Sequence, residues 1–439
     1  MWFDWYGTPA YVTFITVLTV TRGGVGVGKT TRLALAGLSA IAVAYGFARY
    51  GYGLFVPVFR EEFGLSTRAV GFVSSAGYAS YLLAMVLTGF LVGRTGPRFP
   101  VVAGLLCAAA GMGLIATAQS PPPLVAGVVL AGSSPGFCWA PFSDAVAMLV
   151  EEGRRGRVLS AVSTGTTFGL AVAGPVVLLT GATGSPGNES GWRYAWAAFA
   201  AAALLVALWN ARLLPGEPYR RASAGAEVGT GGLGIGRFLG RGSGPLLGQA
   251  FSYGLVAAFY YTYAVDLVRQ SGFGEAWGPI LWTLVGVAGV TGVIAGDAVS
   301  RFGLGRCLVV CLGVLALSIG ALGIAGGSWL LVAVCAVAFG ASYMPVAALL
   351  VLWSADVFRD RPAAGFSVVL FSLALGSVVG PAIFGVIAGI FDLRAAFWCA
   401  AALTALSIVL GPSSSIHGAT HGASDNGSEL VARADNDGE

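Results

Sequence analysis

Twelve mostly apolar stretches, separated by short breaks, take up most of this 439-residue sequence. A membrane helix needs about 20 apolar residues to cross the hydrocarbon core, and each stretch is long enough for one crossing. Backbone polar groups in lipid must bond within a helix or a closed barrel, so stretches of this length predict helices. The sequence therefore predicts an all-α membrane protein with transmembrane helices at 33–58, 70–93, 99–118, 122–150, 157–180, 192–213, 245–268, 277–299, 305–325, 328–353, 363–390 and 392–411.

Charged residues are too scarce to cover a water-soluble globule of this size. They make up 10% of the chain, compared with about 25% in soluble domains. The net charge of +4 is spread over the whole length and forms no phosphate-binding face. The two histidines and six cysteines show no zinc-ligand spacing. We therefore expect a protein that is not an enzyme, with no cofactor, no metal and no nucleic-acid partner.

The basic residues predict how the chain is oriented in the membrane. If the N-terminus is cytoplasmic, 18 of the 24 basic residues fall on the cytoplasmic side and five fall outside, while Arg49 lies within a span. Loops rich in Lys and Arg remain in the cytoplasm. This bias predicts a multi-pass protein of the cytoplasmic (inner) membrane, with both termini in the cytoplasm.

Three segments are not predicted to cross the membrane. We expect an N-terminal cytoplasmic extension at 1–32, a basic, Gly-rich cytoplasmic linker at 214–244 and a disordered C-terminal tail at 412–439. The linker separates a first six-helix bundle at 33–213 from a second one at 245–411.

The N-terminal extension contains a formal match to a phosphate-binding pattern. Residues 23–30 read GGVGVGKT, which fits G-x-x-x-x-G-K-[ST]. A nucleotide site of that kind needs a preceding strand, a following helix in a parallel sheet and an acidic group for magnesium. A membrane helix is predicted directly after this string, so we discount a nucleotide site.

The two predicted bundles repeat each other at an offset of about 207 residues. Residues 89–96, GFLVGRTG, match residues 296–303, GDAVSRFG, and a Gly-Pro pair stands at both 174–175 and 380–381. Parallel repeats of six helices are typical of carriers built from two pseudo-symmetric bundles. In such carriers the substrate lies between the bundles near the middle of the membrane, and rocking of the bundles exposes it to each side in turn.

These segments also resemble a known family. Residues 89–98, GFLVGRTGPR, are similar to the loop signature G-x-x-x-D-R-x-G-x-R/K of the major facilitator superfamily, and residues 296–306 resemble its weaker second copy. Residues 46–66, GFARYGYGLFVPVFREEFGLS, are similar to the YbfB/YjiJ-like branch of bacterial permeases. The resemblance covers about 33–411 and implies the twelve-helix major facilitator fold and the transport of a small solute.

The resemblance assigns a gating role to the two signature loops, with one departure. The family's Asp is replaced by Gly93 in the first copy and by Ser300 in the second, and Asp297 lies one helical turn before Ser300. Ordinary anchoring of cytoplasmic loops is the alternative role for the loop arginines, but it does not account for the flanking glycines. The gating candidates are Gly89, Arg94, Gly96, Arg98, Asp297, Arg301, Gly303, Glu152 and Asp356.

Arg49 is the clearest candidate for contact with a substrate. A charge inside the hydrocarbon costs about 2.5–3.5 kcal/mol on insertion scales, and its repeat equivalent is Ala257, so the repeat does not require it. Its planar guanidinium suits a carboxylate or phosphate. The alternative is that Arg49 reaches outward or pairs internally, with the tyrosines forming an outer aromatic belt. An α-helix would place Tyr45 and Tyr52 on its face. The substrate-binding candidates are Arg49, Tyr45, Tyr52, Trp139, Gln249, Tyr253 and Tyr260.

Asp144 is the candidate for proton coupling. It lies within the fourth span, and the resemblance implies that spans 1, 4, 7 and 10 line the cavity. A carboxylate in such a place can take up and release a proton during transport. A structural salt bridge or hydrogen bond near the inner surface is the alternative role.

Taken together, these features predict a secondary active transporter that moves a small organic solute, with anions among the candidates. We expect alternating access, coupling to protons and a monomeric state. The first alternative is an efflux antiporter for drugs or metabolites, because the Gly-Pro pairs resemble a motif of proton-driven exporters. The second is a non-transporting membrane sensor with the same fold, which the missing signature Asp allows.

Overall fold

Long helices make up almost all of the chain that the structure describes. The computed structural model describes residues 28–181, 191–217 and 243–412. The twelve main helices of this part are α1 Lys29–Arg49, α2 Thr67–Thr95, α3 Arg98–Thr117, α4 Pro121–Leu149, α5 Glu152–Leu179, α6 Gly191–Leu213, α7 Ser243–Gln270, α8 Trp277–Phe302, α9 Leu304–Leu322, α10 Trp329–Val357, α11 Pro362–Ile390 and α12 Leu393–Ser407. Two short helices, Gly51–Leu54 and Val56–Phe63, follow α1, and we call residues 51–63 the end of α1.

The predicted all-helical membrane fold is confirmed. Eleven helices have the length and mean hydropathy of a membrane span, and α7 is a further helix of 28 residues, about 42 Å long at 1.5 Å per residue. The residues of α7 from 252 to 268 are all buried. A helix surrounded by other helices needs no apolar surface for lipid. This enclosure explains why α7 can carry tyrosines and an aspartate.

The ends of the predicted segments differ from the structure by a few residues. The first predicted span is 33–58, whereas α1 starts at Lys29 and its end reaches Phe63. Lys29, from the phosphate-binding string discounted above, is the first residue of a membrane-length helix. Most of the predicted extension, linker and tail fall at 1–27, 218–242 and 413–439, outside the described residues.

Equivalent glycines pack equivalent helices in the two bundles, α1–α6 and α7–α12. A Cβ at Gly136 of α4 would press on the Tyr81 carbonyl oxygen of α2, and a Cβ at Gly340 of α10 would press on the Val285 carbonyl oxygen of α8. Only a residue without a side chain allows backbones to approach this closely. The contact between α4 and α2 in the first bundle therefore recurs between α10 and α8 in the second bundle.

The two signature loops also share one backbone geometry. Helix α2 ends at Thr95 and is followed by Gly96 with φ +69°, and α8 ends at Phe302 and is followed by Gly303 with φ +83°. A positive φ is strained for any residue with a side chain. The glycines of the two loop copies are thus required by the sharp turn that ends each helix.

The two bundles meet through two pairs of helices that the repeat makes equivalent, α2 with α11 and α5 with α8. A Cβ at Gly71 of α2 would overlap the Pro381 carbonyl oxygen of α11, and one at Gly174 of α5 would overlap the Pro279 carbonyl oxygen of α8. A residue of each predicted Gly-Pro pair therefore lies at a contact between the bundles. Close helix packing accounts for both pairs.

At one end of the molecule, the first bundle makes close contacts with α7. A Cβ at Gly53, in the end of α1, would overlap the Tyr261 carbonyl oxygen of α7. A few residues further on, Arg60 donates to Asp266 of α7 at 2.5 Å. We call this end, which carries the end of α1 and the C-terminal end of α7, the closed end.

We predict that Gly53→Ala destabilises the protein while Gly113→Ala does not. The added methyl at Gly53 would meet backbone of the other bundle, and overpacking of this kind costs about 1–3 kcal/mol. Gly113 of α3 has no described atom within 4 Å of the place that an added methyl would take, and replacing a helical Gly with Ala is favourable by up to about 1 kcal/mol. The measurement is the thermal unfolding midpoint of wild type and of both variants in the same detergent. Equal midpoints for Gly53→Ala and wild type would contradict the close contact between Gly53 and Tyr261.

Candidate functional site

Arg49 lies at the end of a π-helical segment rather than in a regular α-helix. Residues Ala42–Arg49 form this segment, and the Tyr50 amide donates to the Tyr45 carbonyl oxygen five residues back, at 3.0 Å. The wider turn brings residues five apart to one face, and π segments are frequent at functional sites. Tyr45 and Tyr50 therefore both lie beside Arg49.

Four aromatic rings surround the Arg49 guanidinium. Its Cζ lies 5.5 Å from the Tyr45 ring centroid, 5.4 Å from Tyr50, 4.9 Å from Tyr78 and 4.1 Å from Tyr81. Tyr78 and Tyr81 come from one face of α2, because residues three apart on a helix are neighbours. We call Arg49 and these four tyrosines the Arg49 cage.

The positive charge of the cage has no acidic partner among the described residues. The Arg49 Nε is buried and has no hydrogen-bond acceptor, and no ion pair in the described ranges includes Arg49. Rings within about 6 Å attract a cation, by about 0.5–2 kcal/mol each depending on desolvation. Such attraction offsets only part of the cost of holding a charge away from water.

Tyr50 connects the cage to the second bundle. Its hydroxyl shares a hydrogen bond of 3.1 Å with the Tyr343 hydroxyl of α10, and its ring stacks on Tyr261 of α7 with centroids 4.1 Å apart. Arg49 thus lies next to a junction between the bundles. Tyr50, Tyr78, Tyr81 and Tyr343 were not predicted from the sequence, although the Tyr78-x-x-Tyr81 spacing indicates one helix face.

Two predicted residues of α7 lie near this junction. Tyr253 donates to the Tyr343 carbonyl oxygen at 2.8 Å and stacks on the Tyr343 ring with centroids 5.2 Å apart. Tyr260 stacks on Phe339 with centroids 3.4 Å apart, and Phe339 stacks on Tyr343. A continuous group of aromatic side chains therefore extends from the cage into the second bundle.

Three other predicted binding residues are placed differently. Gln249 is fully buried and donates to the Ser407 Oγ of α12 at 3.2 Å. The Tyr52 ring packs on Phe59, and its hydroxyl is buried and unpaired. Tyr52 does not share a face with Arg49, because the π segment and the turn after it remove the α-helical i+3 relation between the two residues. Trp139 of α4 is partly exposed and packs against the core. None of the three is among the cage contacts described above.

Asp144, the predicted proton carrier, is buried within α4. Its exposed fraction is 4%, and it lies one turn after the Trp139–Pro141 stretch of that helix. The burial agrees with the predicted position inside the span. A proton-carrying role for this carboxylate stays a prediction.

The first signature loop holds the chain that leaves α6. The Arg98 Nε donates to the Leu214 carbonyl oxygen at 2.7 Å, and its backbone N–H donates to the Pro215 carbonyl oxygen at 3.3 Å. A Cβ at Gly96 would overlap the Glu217 carbonyl oxygen, whereas Gly303 has open space at that position. In this structure Arg98 and Gly96 therefore position the first residues of the linker.

The other predicted gating residues lie at the end of the molecule opposite the closed end. Arg301 lies over the Phe302 ring at 5.3 Å. A role of these residues in gating stays a prediction. Six of them are exposed in the structure: Gly89, Arg94, Glu152, Asp297, Arg301 and Asp356.

A network of charged side chains that was not predicted from the sequence joins the bundles at the closed end. Asp266 accepts from Arg60 and, at 3.0 Å, from the Gln270 Nε2. Arg269 of α7 lies 3.8 Å from Glu61 in the end of α1. These residues line a surface cavity of about 420 Å³. The two ion pairs tie the end of α1 to α7.

Comparison with known proteins agrees with this architecture. The family model described as "Uncharacterised MFS-type transporter YbfB" matches residues 41–411. The chain belongs to this family of major facilitator transporters. No curated protein matches the sequence. As a member of the family, the protein is a multi-pass membrane transporter, and the resemblance stated from the signature loops is confirmed.

Solved structures of other transporters share the fold of this YbfB-type protein. A mutant of the nucleoside transporter NupG matches with a TM-score of 0.70 and 10% identity, over 87% of this chain and 98% of its own. A D-xylose-proton symporter matches with 0.69 and 16%, over 87% and 96%. The xylose transporter XylE from E. coli, in a partially occluded inward open conformation, matches with 0.66 and 16%, over 87% and 98%. At such identities the likeness shows the fold alone.

We predict that Tyr50→Phe destabilises this YbfB-type transporter and that Tyr52→Phe does not. The first change removes the hydroxyl bonded to Tyr343 but retains the ring, and a lost hydrogen bond of this kind costs about 1 kcal/mol. The second removes a buried hydroxyl that has no partner, so the free energy of unfolding should stay the same or rise. Thermal unfolding midpoints measure both. A lower midpoint for Tyr52→Phe than for Tyr50→Phe would contradict the assigned contacts.

Proposed function

We propose that the protein is a secondary active transporter that moves a small organic anion across the cytoplasmic membrane by alternating access, coupled to protons. The observation that carries the proposal is the Arg49 charge beside the junction of the bundles, which has no acidic partner among the described residues and whose Nε is unpaired. Arg49 lies in a membrane-length helix and is only partly exposed, and a charge inside the membrane is a sign of function by default. An anion bound at Arg49 would supply the negative partner that the described chain lacks.

The chemistry of Arg49 favours an anion with two oxygens. The guanidinium presents its N–H groups in a planar fork that matches a carboxylate with two parallel hydrogen bonds. Because its Nε is buried and unpaired, a hydrogen bond to a solute would not have to compete with one inside the protein. Tyr45 and Tyr253 remain the other binding candidates that lie in or next to the cage.

Alternating access would use the contacts at the closed end. The basic residues predict a cytoplasmic N-terminus, which would make the closed end extracellular and this structure an inward-facing or occluded state. Opening to the outside would then separate Gly53 from Tyr261 and Arg60 from Asp266. The Tyr50–Tyr343 hydrogen bond would break in the same step, so release of these contacts would be linked to events at Arg49.

We expect Arg49→Gln to abolish anion binding. As probes we choose benzoate, benzenesulfonate, succinate and inorganic phosphate, added to purified protein in detergent while thermal unfolding is followed. At least one probe should raise the unfolding midpoint of wild type by several degrees, because a ligand that binds only the folded state stabilises it. Arg49→Lys, which retains the charge without the fork, should show a reduced shift.

The control variant is Arg193→Gln. Arg193 pairs with Glu62 inside the first bundle at the closed end and takes no part in the cage, so the anion should stabilise this variant as much as wild type. A probe that stabilises wild type and Arg49→Gln equally would contradict the assigned site, as would a failure of all four probes to stabilise wild type.

For proton coupling, we expect Asp144→Asn to abolish uptake driven by a pH gradient and to leave exchange intact. A carboxylate that carries the proton is needed when the gradient must drive net uptake of the solute. It is not needed for exchange, because in exchange the carrier returns across the membrane with solute bound. The measurement uses benzenesulfonate, which stays charged and does not cross lipid unaided, in proteoliposomes with and without an imposed gradient. Unchanged gradient-driven uptake would remove Asp144 from the proton path. Binding without any uptake or exchange in wild type would instead support the sensor alternative.

A further inference from the structure

The surroundings of Arg49 are aromatic and offer few free hydrogen-bonding groups. Of the hydroxyls at the junction, those of Tyr50 and Tyr343 bond to each other, and that of Tyr253 bonds to a backbone carbonyl. The hydroxyls of Tyr260 and Tyr261 are buried and have no partner. The Gln249 Nε2 donates to Ser407, while its Oε1 is buried and unpaired. A polyhydroxyl solute has more polar groups than these few free partners could satisfy, and each group left unpaired away from water is costly.

The charge around the cage is a single positive one. The rings that contact the Arg49 guanidinium are those of four tyrosines, and within the described ranges no ion pair joins it to a carboxylate. Asp266, at the closed end, is already bonded to Arg60 and Gln270. A solute with one negative charge would neutralise the site, whereas a second carboxylate or an ammonium group would be left without a partner.

Flat rings around the cage favour a flat solute. Tyr81 lies closest to the guanidinium, and the stacked pairs Tyr50–Tyr261 and Tyr253–Tyr343 continue the aromatic surface into the second bundle. Aromatic pairs gain stabilisation beyond their buried area through offset-stacked or edge-to-face arrangements. A planar apolar body attached to a carboxylate would meet such surfaces while its charge meets Arg49.

We infer that the Arg49 cage selects planar, apolar monocarboxylates, in which a single carboxylate is attached to an aromatic or conjugated body. This inference rests on the proposed function, because it takes Arg49 as the site of the anion. To the proposed anion site it adds the charge of the solute, which is that of one carboxylate, and the planar shape of the solute's apolar part. It also separates this chain from carriers of sugars, whose ligands need many hydrogen bonds.

The test compares five probes that differ in one property at a time. Benzoate is the reference, cyclohexanecarboxylate has the same charge without planarity, terephthalate adds a second charge, 4-aminomethylbenzoate adds an ammonium group, and benzyl alcohol removes the charge. Dissociation constants come from titration of the full chain in detergent, followed by tryptophan fluorescence. We expect benzoate to bind at least about 10-fold more tightly than each of the others.

Two variants connect the preference to the cage. Tyr81→Leu removes the ring nearest to Arg49 and should bring the ratio of the benzoate and cyclohexanecarboxylate dissociation constants towards one. The control Tyr194→Leu changes an exposed tyrosine of α6 and should preserve the wild-type ratio. A ratio unchanged in Tyr81→Leu would overturn the role given to the ring.

The outcomes distinguish this inference from the proposal on which it rests. If cyclohexanecarboxylate or terephthalate binds as tightly as benzoate and Arg49→Gln abolishes binding of all of them, the selectivity is wrong while the anion site stands. If benzoate binds equally to wild type and Arg49→Gln, the anion site fails as well. If none of the four ring-bearing carboxylates of this test binds while succinate or phosphate does so through Arg49, the selectivity is again overturned.

Discussion

The Arg49 charge is held among four tyrosine rings beside the junction of two bundles, and the function proposed for this protein depends on this interaction. Cation–π attraction offsets part of the cost of a charge without an acidic partner, and the π segment that ends at Arg49 places Tyr45 and Tyr50 on the same side. Because Tyr50 also bonds to Tyr343, the electrostatics of the cage and the contact between the bundles share one residue.

Close backbone contacts elsewhere also hold the two bundles together. Gly53, Gly71 and Gly174 each leave space that a carbonyl oxygen of the other bundle fills. Close approach in a membrane gives many weak van der Waals contacts and few strong bonds. The interface also has directional contacts that can break one by one. They are the bonds of Arg60 with Asp266, Tyr50 with Tyr343, Ser74 with Thr262, the Ala382 amide with Ser75, and Tyr263 with the Thr67 carbonyl oxygen, together with the ion pair of Arg269 with Glu61.

Much of the fold could be predicted from the sequence, because local length and composition determine membrane helices. The repeat of the two bundles is also visible in the sequence. Arg49 could be found because a charge stands out in an apolar run. Tyr50 could not, since the π segment that turns it towards Arg49 depends on how α1 packs against its neighbours. The direction of Gln249 towards Ser407 and the bond from Arg98 to Leu214 are likewise properties of tertiary packing.

The solved structures with this fold include transporters of nucleosides and of xylose, so the scaffold alone does not determine the solute. What differs between carriers on one scaffold is the set of side chains at the bundle junction. Here that set contains a guanidinium without an acidic partner among the described residues and a group of tyrosines. The hydroxyls of Tyr50, Tyr253 and Tyr343 are bonded, while those of Tyr260 and Tyr261 are unpaired. A site of this composition can neutralise one charge and cover a flat apolar surface, but it has little with which to bind a ring of hydroxyl groups.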